Sequence, residues 1–139
     1  QFGLLYNWCA AMGGQPAACQ TAAATPTDPS INICPAGWRL PTGGVSNNAN
    51  EFWNLNQAIN GDSVNTPSGL LTNSLFQYSG AFNTGAFNSQ GTAGGGWYWS
   101  STVVNAGNSR SLWFSSANTV SPANSNGKGL GFAVRCVRE

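Results

Sequence analysis

The chain has 139 residues, a formal charge of +1, only 6% charged residues and a hydrophobic fraction of 41% that includes six Trp and seven Phe. That length suits one domain with a sizeable core, and the aromatic content excludes a disordered chain, which needs low hydrophobicity and high charge to stay solvated. The polarity comes from Asn, Ser, Thr, Gln and Gly, so the surface carries no field to attract nucleic acid or an anionic membrane, and no apolar run approaches the roughly 20 residues that cross a bilayer. The start at Gln1 shows no basic region followed by an apolar one, so the expectation is a soluble chain whose export signal has been removed.

Gly3 to Trp8 reads as a short strand, followed by a turn or short helix over CAAMGG. Residues 14–33 carry Pro16, Pro26 and Pro29 among Ala, Thr and Asp, which interrupt any long helix and leave a loop. Pro35 to Thr42 packs a turn, Trp38 and a second proline into a rigid corner. Phe52, Leu55, Ala58 and Ile59 then share one helical face, and Asn48 with Glu51 is spaced as a capping box, which predicts a helix over about 49–60. From Gly61 to Gly96 the expectation is irregular chain over one or two short strands. Strands follow at Trp97–Ser101, Ser111–Ser115, Asn118–Val120 and Gly131–Val137, an antiparallel sheet with Trp97, Trp99, Leu112, Phe114, Phe132 and Val134 inward. Tyr98 and Trp113 then point the other way.

Cys9, Cys19, Cys34 and Cys136 are even in number, and neither a CxxC pair nor any His accompanies them, so disulfides are the better reading than zinc or buried thiols. Three pairings are possible. Closeness in sequence favours Cys9 with Cys19, which leaves Cys34 with Cys136.

Four segments, GLLYNWCAA at 3–11, ICPAGWRLPT at 33–42, WYWSST at 97–102 and KGLGFAVRCVRE at 128–139, together resemble the Fibrobacter succinogenes major paralogous domain family, related to formylglycine-generating-enzyme-type and C-type-lectin-like domains. The resemblance frames almost the whole chain. It departs where Gly43 to Asn50 separate LPT from Glu51-Phe52-Trp53, which reads as a loop insertion, and in the Ala-rich stretch between Cys9 and Cys19. What it implies is an α+β, C-type-lectin-like fold over 1–139, the C-terminal module of a longer protein. That fold has an antiparallel sheet, one or two helices, paired N- and C-terminal strands, much irregular loop, and Cys34 near Cys136. Arg39 and Arg135 fall in the resembling motifs and read as scaffold hydrogen-bonders; Trp8, Trp38, Trp53, Trp97 and Trp99 read as core.

Catalysis at neutral pH needs a titrating group beside a partner. The chain has no His, and its only acids are Asp28, Glu51, Asp62 and Glu139, none evidently paired. No catalytic residues, no metal site and no cofactor are expected. From Val103 to Asn126 the chain interleaves Asn and Ser. Rigid aromatic area beside small hydrogen-bonding groups is the chemistry of adaptable binding surfaces, which nominates Tyr98, Asn105, Asn108, Arg110, Ser111, Trp113, Ser115, Asn118, Asn124 and Asn126 as ligand-binding. Domains of the resembling kind are recurrent targets of diversity-generating retroelements, which randomise Asn codons ahead of an invariant last strand, and the position of this stretch fits. The expectation is an extracellular or cell-surface binding domain for a protein or glycan, without nucleic acid or direct membrane insertion. The alternatives are a structural or adhesion module of a larger surface protein, and a degenerate formylglycine-generating-type enzyme.

Overall fold

The computed structural model describes residues 3–15, 30–44, 50–61, 68–72, 76–89, 94–117 and 119–139. Its elements are α1 (Trp8–Ala11), β1 (Trp38–Arg39), α2 (Glu51–Asn60), α3 (Ser68–Thr72), β2 (Ala81–Asn83), β3 (Ala86–Asn88), β4 (Gly95–Val103), β5 (Asn108–Ser115), β6 (Thr119–Gly127) and β7 (Val137–Arg138). The class is α+β with antiparallel ladders: β4-β5-β6 as the main sheet, with β1-β7 and β2-β3 as two-stranded ribbons.

The main sheet is buried on both faces along β4. In antiparallel pairing, residues directly opposite one another point to the same side. Trp97 faces Trp113, which faces Ser121, and Tyr98 faces Leu112. On the first side Trp99 packs with Trp8, Met12, Leu40 and Phe132; on the other Tyr98, Leu112, Phe114 and Val120 pack with Phe52, Leu70 and Phe76. Gly95 and Gly96 make this close packing possible. A Cβ on Gly95 would lie 2.6 Å from the Trp97 ring, and one on Gly96 would run into the Phe114 ring from the opposite face.

The expected N-terminal strand is a single antiparallel bridge. Tyr6 and Phe132 exchange hydrogen bonds of 2.8 and 2.9 Å, and the chain then enters α1, because the Asn7 side chain accepts from the Ala10 N–H at 2.8 Å and caps a helix start. The expected strand over Gly131–Val137 likewise reduces to bridges at Gly131, Phe132 and Ala133, with a ladder only at β7, which pairs with β1.

The corner at Pro35–Thr42 turns on Gly37 (φ 75°), with the Trp38 N–H bonded to the Pro35 carbonyl. It leads into α2. The cap of α2 is Asn50, whose side chain accepts from the Trp53 N–H at 3.1 Å, in place of the Asn48–Glu51 box. Phe52 is buried and Leu55 and Ile59 partly so, but Ala58 is exposed and Asn56 takes the inner position, accepting from the Asn60 side chain at 2.7 Å. The short helix α3 falls in the stretch from Gly61 to Gly96 expected to be irregular with one or two short strands. Phe82 and Phe87 stay on the surface, edge to face across β2 and β3.

Cys34 and Cys136 are bonded, with Cα atoms 5.9 Å apart across a sequence separation of 102. Cys9 is also disulfide-bonded, while Cys19, its expected partner, lies outside the described residues.

Candidate functional site

The nominated residues do not form one surface. Asn105 and Asn108 sit at the β4–β5 turn, where the Asn105 side-chain oxygen accepts from the Gly107 N–H, the Asn108 N–H and the Asn108 side-chain amide at 3.0, 2.9 and 3.0 Å. Ser115 closes the other end of β5, about 24 Å away at the rise of an extended strand. Asn118 lies outside the described residues.

Two nominated side chains are inside the protein. Tyr98 was expected to face outward but is only 6% exposed, its ring edge-on to Phe76 at 4.8 Å and stacked on Phe114. Its hydroxyl donates to the Gln77 carbonyl at 3.0 Å and accepts from the Gln77 N–H at 2.9 Å, and burial pushes its pKa above the ordinary value. Ser111 is fully buried, with its hydroxyl accepting from the Asn126 side chain at 2.8 Å. The reason is the same for both. Alternation separates inside from outside only where one face of a sheet meets water, and here both faces of β4 are covered.

Arg110 is partly buried on the Tyr98 side, its guanidinium donating to the Ala123 carbonyl at 2.8 Å. It works as a clasp between β5 and β6. What the structure does bring together, on the opposite side, is Trp113, Ser115, Asn124 and Asn126, with Thr119 and Ser121 of β6 beside them. All six are partly buried. Beyond Val120, the Asn/Ser stretch that reads as turns is thus a strand, with one shift of register between Ser121 and Asn124, because β5 supplies a hydrogen-bonding template that overrides weak local propensity.

Trp113 is the centre of this group. Its ring lies 6.2 Å from that of Trp97, and its indole N–H is shielded and has no hydrogen-bond partner among the described residues. Since that N–H is shielded, what the residue offers at the surface is the partly exposed face of its ring. The far end of the same side carries Lys128, whose ammonium lies 4.9 Å from the centre of the Trp8 ring and whose pKa desolvation lowers. The face offers one aromatic plate and a row of short hydroxyls and amides, suited to hydrogen bonding and contact.

Of the acids, Asp28 and Asp62 lie outside the described residues, Glu139 is exposed, and Glu51 is held by Arg39 at 2.7 and 2.8 Å, which lowers the Glu51 pKa and raises that of Arg39. Among the described residues no three metal-ligating side chains converge, and no helix is long and apolar enough to cross a membrane.

A cleft of about 460 Å³ opens away from this face, between α2 and β7, and no sequence reading anticipated it. Two readings change with it. Trp38, expected in the core, is 44% exposed at the cleft, and Arg135, expected to bind the scaffold, is exposed and makes no side-chain hydrogen bond or ion pair among the described residues. The signal in the sequence was the pair of arginines flanking Cys136-Val137. No family model matches the chain, and neither a curated protein nor a solved structure does.

Proposed function

We propose that the protein is an extracellular or cell-surface binding domain of C-type-lectin-like fold that holds a protein or glycan by contact and hydrogen bonding, without catalysis. The observation that carries this reading is Trp113, a partly exposed aromatic beside Trp97, set among Ser115, Thr119, Ser121 and Asn124. The intramolecular Cys34–Cys136 disulfide supports an oxidising compartment. The four-segment resemblance supports the fold, and with it the idea that the Asn-rich strands are diversified by a retroelement. Sequencing the encoding locus checks this last point, which fails if no nearby template repeat and reverse transcriptase accompany the gene.

A glycan array and a cell-binding screen test the site. Wild type binds a target; Trp113→Ala and Ser121→Arg, the second adding bulk without removing any core, lose at least about tenfold in affinity, roughly 1.4 kcal/mol. Asn108→Ala, at the distant turn, binds as wild type. Melting curves confirm that each variant is folded. Undiminished binding by folded Trp113→Ala and Ser121→Arg overturns the site. The internal bonds of Asn105, Arg110 and Asn126 favour the other reading, a structural module with no specific face, and absence of any target for wild type is its outcome.

A further inference from the structure

We propose that the cleft between α2 and β7 is a second binding site, for a small apolar anion of the medium-chain carboxylate type. At about 460 Å³ it falls within the roughly 300–1,000 Å³ typical of small-molecule sites. Phe52, Leu55 and Phe76 contribute apolar lining, and Trp38 adds an exposed indole. Such a lining favours an apolar ligand body.

Charge decides the rest. The one acid lining the cleft, Glu51, is answered by two hydrogen bonds from Arg39 at 2.7 and 2.8 Å. Arg135 and Arg138 also line it, are exposed, and form no ion pair among the described residues. Two exposed guanidiniums outside any ion pair among the described residues, beside an apolar lining, match a ligand with a hydrocarbon body and an anionic head, because the planar guanidinium fork pairs with a carboxylate through two parallel hydrogen bonds. A neutral apolar ligand would leave both to solvent and gain nothing from them.

The test compares octanoate with octan-1-ol, which share a chain and differ in charge, by calorimetry and by tryptophan fluorescence. Octanoate binds saturably, one per chain, at least about tenfold more tightly than the alcohol. The double substitution Arg135→Gln and Arg138→Gln removes that preference, and Leu55→Trp, which fills the cleft, removes binding of both. Equal affinity for acid and alcohol, a preference that survives the double substitution, or no saturable binding overturns the proposal. So does an acidic peptide that binds the cleft where octanoate fails to bind. The cleft shares no residue with the Trp113 face, so failure at one surface leaves target binding at the other as a separate result.

Discussion

The Tyr98 hydroxyl sits at the end of a ring packed between Phe76 and Phe114 and answers both backbone groups of Gln77. Removing it strands the Gln77 N–H, while the Gln77 carbonyl keeps the Ser79 N–H at 2.8 Å, and an unsatisfied shielded group costs more than a hydrogen bond gains. Tyr98→Phe keeps the ring packing and is expected to lower unfolding free energy by about 1–3 kcal/mol. In urea this is a lower midpoint with an unchanged slope, since the exposed surface hardly differs. Target binding is unaffected, because the side chain faces α2 rather than the Trp113 side. Trp113 is the opposite case. Its N–H is shielded and unpaired among the described residues, so its contribution to a target comes from the exposed part of its ring.

At the scale of elements, the corner and α2 are joined through one carboxylate. Glu51 accepts from the Arg39 guanidinium and from the Thr42 N–H at 2.9 Å, while its own N–H donates to the Thr42 hydroxyl at 3.0 Å. These bonds favour the ionised form and hold the Glu51 pKa below its ordinary 4.5, with the Arg39 hydrogen bond as the largest cause. A depressed folded-state pKa contributes stability that is complete above the unfolded value and is lost as pH falls through the folded one. Both side chains are about a third exposed, so solvent screens the pair and its contribution stays modest. Glu51→Gln is expected to cost about 1–2 kcal/mol at neutral pH, and the difference from wild type closes on acidification below about pH 4.5. Thermal melts across that range check it; a difference that persists undiminished in acid contradicts the role of the charge. The corner and α2 were legible in the sequence because turn chemistry and a period near 3.6 at Phe52, Leu55 and Ile59 are local signals. The cap was read two residues early because several Asn precede Glu51 and spacing cannot choose among them. In β6, Pro122 and a run of Ser and Asn conceal a strand that forms only because β5 is there to pair with it. The candidate site was therefore legible as a region, while the side each residue faces depended on helices and N-terminal segments distant in sequence.

For the molecule as a whole, the closures are long in sequence and gathered at the chain ends. Tyr6 bridges Phe132, β1 pairs with β7, and Cys34 is bonded to Cys136 across 102 residues. A ladder of two residue pairs is too short to persist alone, so the disulfide is what keeps β1 against β7. On the chain-entropy account, closing a loop of this length stabilises the fold by about 4–5 kcal/mol. The double variant Cys34→Ala and Cys136→Ala, which leaves Cys9 oxidised where a reductant would not, should lose about that much in denaturant unfolding. The loss should also be uneven. Cys136 lines the cleft, whereas the Trp113 face rests on the β4-β5-β6 sheet, which has its own ladders and two packed clusters. Hydrogen exchange in the variant should then show β1 and β7 losing protection first while β5 keeps it, because local opening follows the elements with the fewest buried contacts. Octanoate binding should weaken before target binding does. Uniform loss of protection across all strands would mean instead that the bond stabilises the whole domain as one cooperative unit and does not act chiefly on the cleft.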